Sequence, residues 1–387
     1  MTERLYYTDC YLREFSARIV DRSGDGSTVY LDRTAFYPTS GGQPYDLGQI
    51  AGVPLVEVID EDDRIAHRIA APLHTGPVDC VIDWNRRFDH MQQHTGQHLL
   101  SAVFEELLHL KTVSFHLSAA SSTIDLEGGP LDPAALKEVE LHANQAIFEN
   151  RKVSIDFQHA ADASGLRKPA AREGSLRIIS IEGMDRSACG GTHVRSTAEI
   201  GVILLRRLEK IRQATRVEFL CGNRAVARAR ADYEALSKAA QHFSAGLDEV
   251  PAMVATQLET ARTAEKARRK LELDLAAYQG RELYNTTEPD AGGFRRVSRR
   301  DARGNIEELR ALAQHFTAQP KAVLVAALNE PPSVLLAVSA DSGIDAGQVL
   351  KTALAEAGGR GGGNARMAQG SVPDTDRLDR VLQKLTN

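Results

Sequence analysis

The sequence lacks several features, and each absence closes off a class of protein. It has no run of about 18 apolar residues, so no membrane-spanning helix and no membrane partner are expected. The opening Met1-Thr2-Glu3-Arg4-Leu5-Tyr6-Tyr7 lacks the apolar core of a secretion signal, which makes a cytoplasmic location the expectation. Only four cysteines occur, Cys10, Cys80, Cys189 and Cys221, and they lie far apart. They read as reduced thiols or metal ligands and not as a disulfide framework. An excess of positive charge is also missing. The net charge is -5, so any surface for nucleic acid must be local.

What is present supports real cores. Hydrophobic residues make up 42% of the chain and charged residues 26%, and 387 residues suit two or three domains. Residues 1–85 read as mostly β. Alternating runs at Ala17–Asp21 and Thr28–Asp32 flank a turn-rich spacer, and short runs follow near Val53–Ile59, Arg64–Ile69 and Val78–Ile82. That density of short strands predicts a small barrel-like or sandwich module. Within it, Asp32-Arg33-Thr34-Ala35-Phe36-Tyr37-Pro38-Thr39-Ser40-Gly41-Gly42-Gln43-Pro44 is too polar and glycine-rich for a strand. It reads as a surface loop, or as a place where backbone approaches something closely.

From Arg86 the pattern is α+β up to Arg224. From Ala225 to about 285 it is helical, with Val250, Val254, Leu258, Leu271, Leu275 and Tyr278 recurring every three or four residues or multiples of that spacing. This long amphipathic helix is a spacer or a coiled-coil seam. Residues 286–387 form a further α+β module. Two buried-type strands, Ala322–Leu328 and Ser333–Val338, precede a helix near 346–357 and a loop rich in glycine from Gly358 to Gly370.

Chemistry concentrates in two pairs. His94 and His98 are four apart on a helix, which stacks their imidazoles on one face, and Leu99, Leu100, Val103, Phe104 and Leu107 continue that helix into a core. Cys189 and His193 repeat the spacing across Gly190-Gly191-Thr192. One thiolate and three imidazoles make a tetrahedral zinc set, and with about 90 residues between the pairs the site is assembled by the fold. Four protein ligands normally mark a structural site, so a catalytic role stays open. A zinc peptidase is excluded, because Thr95 stands where the general-base glutamate would follow the first histidine. The run Gly361-Gly362-Gly363 follows a helix and has no closing Gly-Lys-[Ser/Thr], so it is neither a dinucleotide fingerprint nor a P-loop. It is a flexible loop, or with Arg360 and Arg366 a track for an RNA backbone. Arg295, Arg296, Arg299 and Arg300 add local positive charge.

Taken together, Asp32 to Pro38 with Ser40-Gly41-Gly42-Gln43, His94-Thr95-Gly96-Gln97-His98-Leu99-Leu100, Cys189-Gly190-Gly191-Thr192-His193 and the Gly358–Gln369 stretch resemble the editing half of alanyl-tRNA synthetase. With only about 85 residues before the histidine helix, no aminoacylation core is expected. The chain therefore resembles a freestanding alanyl-tRNA editing protein of the long type. The resemblance implies an α+β fold in four parts: a small N-terminal β-barrel-like module (1–85), a zinc-binding editing domain of the threonyl/alanyl synthetase second-additional-domain type (86–224), a long helical linker (225–285) and a C-terminal DHHA1-like tRNA-binding domain (286–387). It also implies hydrolysis of tRNA(Ala) mischarged with serine or glycine. One Zn2+ would be held by His94, His98, Cys189 and His193. Thr34 would read the serine hydroxyl, with Gln97 as a weaker candidate, and Gly41, Gly42 and Gln43 would lie near the ester. Arg360, Gly361, Gly362, Gly363, Asn364 and Arg366 would contact tRNA, and the long helix or C-terminal domain would allow a homodimer. The alternative is a non-catalytic tRNA-binding protein in which the zinc only fixes the fold.

Overall fold

The computed structural model describes residues 1–118, 120–169 and 174–386. Two compact units emerge, Met1–Lys238 and Ala239–Asn387. The α+β class holds in both.

In the first unit, Glu14–Arg22, Thr28–Leu31, Arg64–Ile69, Val53–Glu61, Gly48–Ile50 and Gly76–Ile82 pair in that order, and Gly76–Ile82 pairs back onto Glu14–Arg22. Alternation turns Ala17, Ile19, Val29, Leu31, Ile65 and Ile82 into the enclosed core. The fold expectation needs correction here: these strands are not a small module standing apart from a metal-binding domain. They belong to the same compact unit as the histidine helix. The physical reason is a buried arginine of that helix, Arg87, which bonds the carbonyls of Cys10 and Ala35 and the carboxylate of Asp46 in the N-terminal region.

That helix, α1 (Trp84–Leu108), starts where Asp83 accepts a hydrogen bond from the Arg86 amide and ends at His109 in the left-handed conformation. Its apolar residues Met91, Leu99, Leu100, Val103 and Phe104 lie in the core. Its polar residues Gln92, Gln93, His94, Thr95, Gln97, His98 and Ser101 are buried as well. Polar groups survive burial only when bonded, so this helix demands partners from the chain around it. Gln93 exchanges two hydrogen bonds with the backbone of Cys221, and Gln92 donates to the carbonyl of Glu199. Gly96 is obligatory, because a Cβ there would meet the Cys221 sulfur at 2.3 Å.

Two sheets complete the unit. One runs Ile203–Ile211, Ala214–Cys221, Ser122–Glu127, Thr112–Leu117, with α2 (Pro133–Phe148) begun by Asp132 as expected. The other runs Val153–His159, Ser175–Ile181, Asp185–Ala188, and delivers Cys189 at the end of its last strand. Helix α3 (Gly222–Phe243) follows.

In the second unit, α4 (Val250–Thr286) is 37 residues long, about 55 Å at 1.5 Å per residue. It packs with α5 (Ile306–Thr317) on one face of a five-stranded sheet. Helices α6 (Ala346–Glu356) and α7 (Thr375–Thr386) cover the other face. The sheet order is Arg295–Arg303, Ala322–Glu330, Pro332–Val338, Met367–Ser371, Arg360–Gly363. A second correction falls here. The glycine run is an edge strand, not a loop. Its small residues let the backbone lie close, for a Cβ on Gly361 would meet the Gln369 carbonyl at 2.5 Å and Leu354 at 2.6 Å.

Candidate metal centre and its surroundings

The two pairs read from the sequence converge. One donor atom from each of His94, His98, Cys189 and His193 lies within 4.8 Å of all the others. The Cys189 sulfur is 3.5 Å from His94 Nε2 and 3.4 Å from His193 Nε2. All three histidines are buried. This cluster is able to coordinate a metal ion.

Each imidazole is held from behind. His94 Nδ1 lies 2.8 Å from Gln43 Oε1, His98 Nδ1 2.8 Å from Asp185 Oδ2 and His193 Nδ1 3.2 Å from Thr95 Oγ1. Outer partners of this kind set ring orientation and tautomer and leave the other nitrogen free for a ligand. They are held in turn. Gln43 also donates to Thr192 Oγ1 at 2.8 Å and accepts from the Thr192 amide, and Arg167 bonds Asp185 at 2.7 Å.

The electrostatics follow from burial and neighbours. Burial pushes the Cys189 thiol up, but His94 and His193 outweigh it and hold the thiol well below its ordinary range. Burial lowers His98, while Asp185 and Cys189 more than compensate and bring it to about 9. His193 falls to about 3, chiefly by burial and then by His94.

Gln43, expected near the ester, sits fully buried behind His94. Its neighbours form a tight turn. The Gln43 amide donates to the Ser40 carbonyl, and Gly41 and Gly42 have φ of +52° and +82°, values that favour glycine. Among the described residues neither glycine amide is hydrogen-bonded. Gly42 is pressed against Phe115, whose ring stacks on His94 at 5.5 Å. Gly191 has no room for a side chain, since a Cβ would stand 2.2 Å from His94 Cε1. A cavity of about 510 Å3 borders Cys189, and Gly41 and Gly190 are in its wall.

Thr34 is fully buried but is not in that wall. Its hydroxyl accepts from the Phe36 amide at 3.1 Å and lies 2.9 Å from His67 Nε2. Gln97 donates to Ser101 at 2.8 Å, and its buried Oε1 has no partner among the described residues. In the second unit, Arg360 and Gly361 to Gly363 are exposed. Asn364 caps the Arg366 and Met367 amides, and the Arg366 guanidinium is spent on the carbonyls of Val338 and Thr317. Arg296, Arg299 and Arg300 pair with Asp290, Asp301 and Asp379, so the upstream basic run is largely neutralised.

Sequence reasoning missed Asp185, Thr95, Arg177 and the Arg87–Asp46 pair. Asp185 left a signal: period-2 alternation puts Asp185, Ser187 and Cys189 on one face of a strand. Arg177 left none. It ties the Cys189 and Gly191 carbonyls to the Tyr7 carbonyl, bracing the loop from Cys189 to His193.

His67 carries a pH prediction. Burial lowers its pKa from 6.5 to about 4. The unfolded chain therefore binds the extra proton first, so the stability from neutral His67 is complete above pH 6.5 and is lost as pH falls through about 4. Between pH 7 and 5 this should remove roughly 2 kcal/mol of unfolding free energy. Urea unfolding at both values checks it. The drop should shrink in His67→Gln, and an equal drop in both proteins would refute the assignment.

Comparisons with known proteins extend these observations. Residues 297–387 match the DHHA1 domain, and residues 176–217 match the threonyl and alanyl tRNA synthetase second additional domain. The chain is 31% identical to the alanyl-tRNA editing protein AlaX-L of Pyrococcus horikoshii over 409 aligned residues, covering 100% of this chain and 98% of that protein. It is 28% identical to the alanyl-tRNA editing protein Aarsd1 of Danio rerio, covering 94% of this chain and 92% of that one. Against the alanine--tRNA ligase of Pyrococcus furiosus the identity is 30%, over 99% of this chain but 43% of the ligase.

Proposed function

The chain belongs to the alanyl-tRNA editing family, and from that premise we propose that it is a zinc-dependent deacylase that hydrolyses tRNA(Ala) wrongly charged with serine, and also with glycine. The observation that carries this reading is the four-donor cluster beside a two-glycine turn whose amides are free. A purely structural ion would not need that turn.

The donors suit zinc. Bonds of about 2.0–2.3 Å in a tetrahedron put nitrogen and sulfur ligands roughly 3.5 Å apart, and the sulfur here lies 3.5 Å and 3.4 Å from two imidazole nitrogens. When bound, zinc supplies a fixed positive charge that polarises an ester carbonyl and orients water. The chain's own groups do the rest. The Gly41 and Gly42 amides offer donors for the oxyanion that develops as the ester is attacked. Gln43 keeps the His94 ring in place behind them.

Selection against alanine turns on one hydroxyl. A site built to bond it leaves its own polar group unpaired when alanine binds. In this proposal Thr34 reads the hydroxyl through the lone pair left after its bonds to Phe36 and His67, and Gln97 Oε1 is a second open acceptor. The tRNA body is met by Arg360 and the exposed glycine strand. Exposed Leu258, Leu271, Leu275 and Tyr278 on α4 support pairing with a second copy.

The test is release of amino acid from Ser-, Gly- and Ala-charged tRNA(Ala) by the metal-loaded protein, beside a His98→Ala variant. Ser-tRNA(Ala) should be hydrolysed and Ala-tRNA(Ala) spared. No release from any mischarged tRNA would leave the non-catalytic reading instead. Thr34→Val should cost the serine substrate roughly tenfold more than the glycine substrate, the worth of one hydrogen bond. Equal losses would assign Thr34 a structural role.

A further inference from the structure

Thr34 is held by a histidine whose two nitrogens have fixed and opposite roles. His67, on the strand Arg64–Ile69, is fully buried, as is Thr34. Among the described residues no carboxylate bonds the His67 ring, and burial brings its pKa down to about 4, so the ring is neutral at pH 7. A neutral imidazole has one N–H donor and one bare acceptor nitrogen. The partners decide which is which. His67 Nδ1 lies 3.3 Å from the carbonyl oxygen of Val29, the residue opposite it on the neighbouring strand. A carbonyl only accepts, so Nδ1 carries the proton and Nε2 is bare.

That polarity passes to Thr34. Its Oγ1 lies 2.9 Å from His67 Nε2, and a bare nitrogen only accepts, so the hydroxyl donates its single proton there. The same oxygen accepts from the Phe36 amide at 3.1 Å. One lone pair is left, and no proton. The opposite tautomer would set two acceptors, Nδ1 and the Val29 oxygen, against each other in a buried site with no solvent to relieve the mismatch. Phe36 also stands edge-on to the His67 ring at 5.9 Å, so one residue touches both members of the pair.

We propose that His67 is a positioning residue for specificity. It makes Thr34 an acceptor only, so that among amino acids with a β-carbon the site selects those whose small β-substituent carries a donor proton. This rests on the reading in which Thr34 meets the serine hydroxyl. Gln97 Oε1, the second open group in that reading, is a carbonyl oxygen and likewise only accepts. Serine satisfies such a site by donating. Alanine has nothing to donate. β-Fluoroalanine puts fluorine in the place of the hydroxyl, without a proton, and sets it against an acceptor.

The test has two arms, both on the whole metal-loaded protein. Nitrogen NMR of the isotopically labelled protein reads the tautomer, with the His67 signals assigned by their loss in His67→Gln. Nδ1 should be protonated and Nε2 bare. The second arm is hydrolysis of tRNA(Ala) charged with serine, glycine or β-fluoroalanine. The kcat/KM for serine should exceed that for β-fluoroalanine at least about tenfold. His67→Leu removes the acceptor and frees the Thr34 proton, and should cut that ratio to about threefold or less. His67→Gln can offer Oε1 to Thr34 and should restore most of it. A proton on Nε2 would overturn the proposal, whether or not His67→Leu folds. So would a serine preference that is lost in Thr34→Val but untouched in folded His67→Leu. Equal losses of serine and glycine hydrolysis in Thr34→Val would remove the Thr34 reading itself, and the proposal with it.

Discussion

Cys189→Ala should abolish binding of one equivalent of zinc and lower hydrolysis of Ser-tRNA(Ala) by at least about 100-fold. Cys189 contributes the only sulfur of the cluster, and His94 and His193 hold it toward the thiolate. Without it, three imidazoles share the site and its negative charge is gone. Elemental analysis of the purified variant and a deacylation assay read the two effects separately. Gln43→Ala is the companion measurement. It leaves all four ligands but frees the His94 ring, and should weaken zinc affinity by roughly 10–100-fold. Full hydrolysis by zinc-free Cys189→Ala would show that the ion plays no part in the reaction.

Arg87→Met is expected to destabilise the protein by roughly 3–5 kcal/mol, because it leaves a buried carboxylate unpaired. Arg87 and Asp46 are both fully buried, and Arg87 Nε lies 3.0 Å from each Asp46 oxygen. The guanidinium also bonds the carbonyls of Cys10 and Ala35, and Asp46 accepts from the Tyr37 amide at 2.6 Å. One side chain on α1 therefore fixes both ends of the segment that carries Gly41, Gly42 and Gln43. Urea unfolding of the metal-loaded protein measures the loss. The double variant Asp46→Leu with Arg87→Met should recover much of it, since apolar packing often replaces a buried ion pair without penalty. A single variant within about 1 kcal/mol of wild type would contradict this account of how the loop is held.

The elements that were legible in advance share a local cause. His94 and His98 face one way because a helix repeats every 3.6 residues, and Asp132 starts α2 because its side chain reaches the Ala134 amide. The glycine run at Gly361 to Gly363 departs from local preference for an equally physical reason. Glycine disfavours strands by itself, but here the strand exists because the neighbouring strand and Leu354 leave space for nothing larger. Thr34 shows a different difficulty. Its motif marks it as important, while its bond to His67 depends on a strand more than thirty residues away.

The sequence by itself determined which atoms can bind a metal, which helix carries half of them and which family the motifs resemble. Those properties reside in residue type and short spacing. Only the tertiary structure decided that His94 leans on Gln43, His98 on Asp185 and His193 on Thr95, and that Arg87 binds the N-terminal strands to the histidine helix. These partners are separated by 41 to 98 positions along the chain. Nothing in local backbone preference couples groups so distant. They meet because a helix with buried polar side chains is stable only where the rest of the chain supplies each of them a bond.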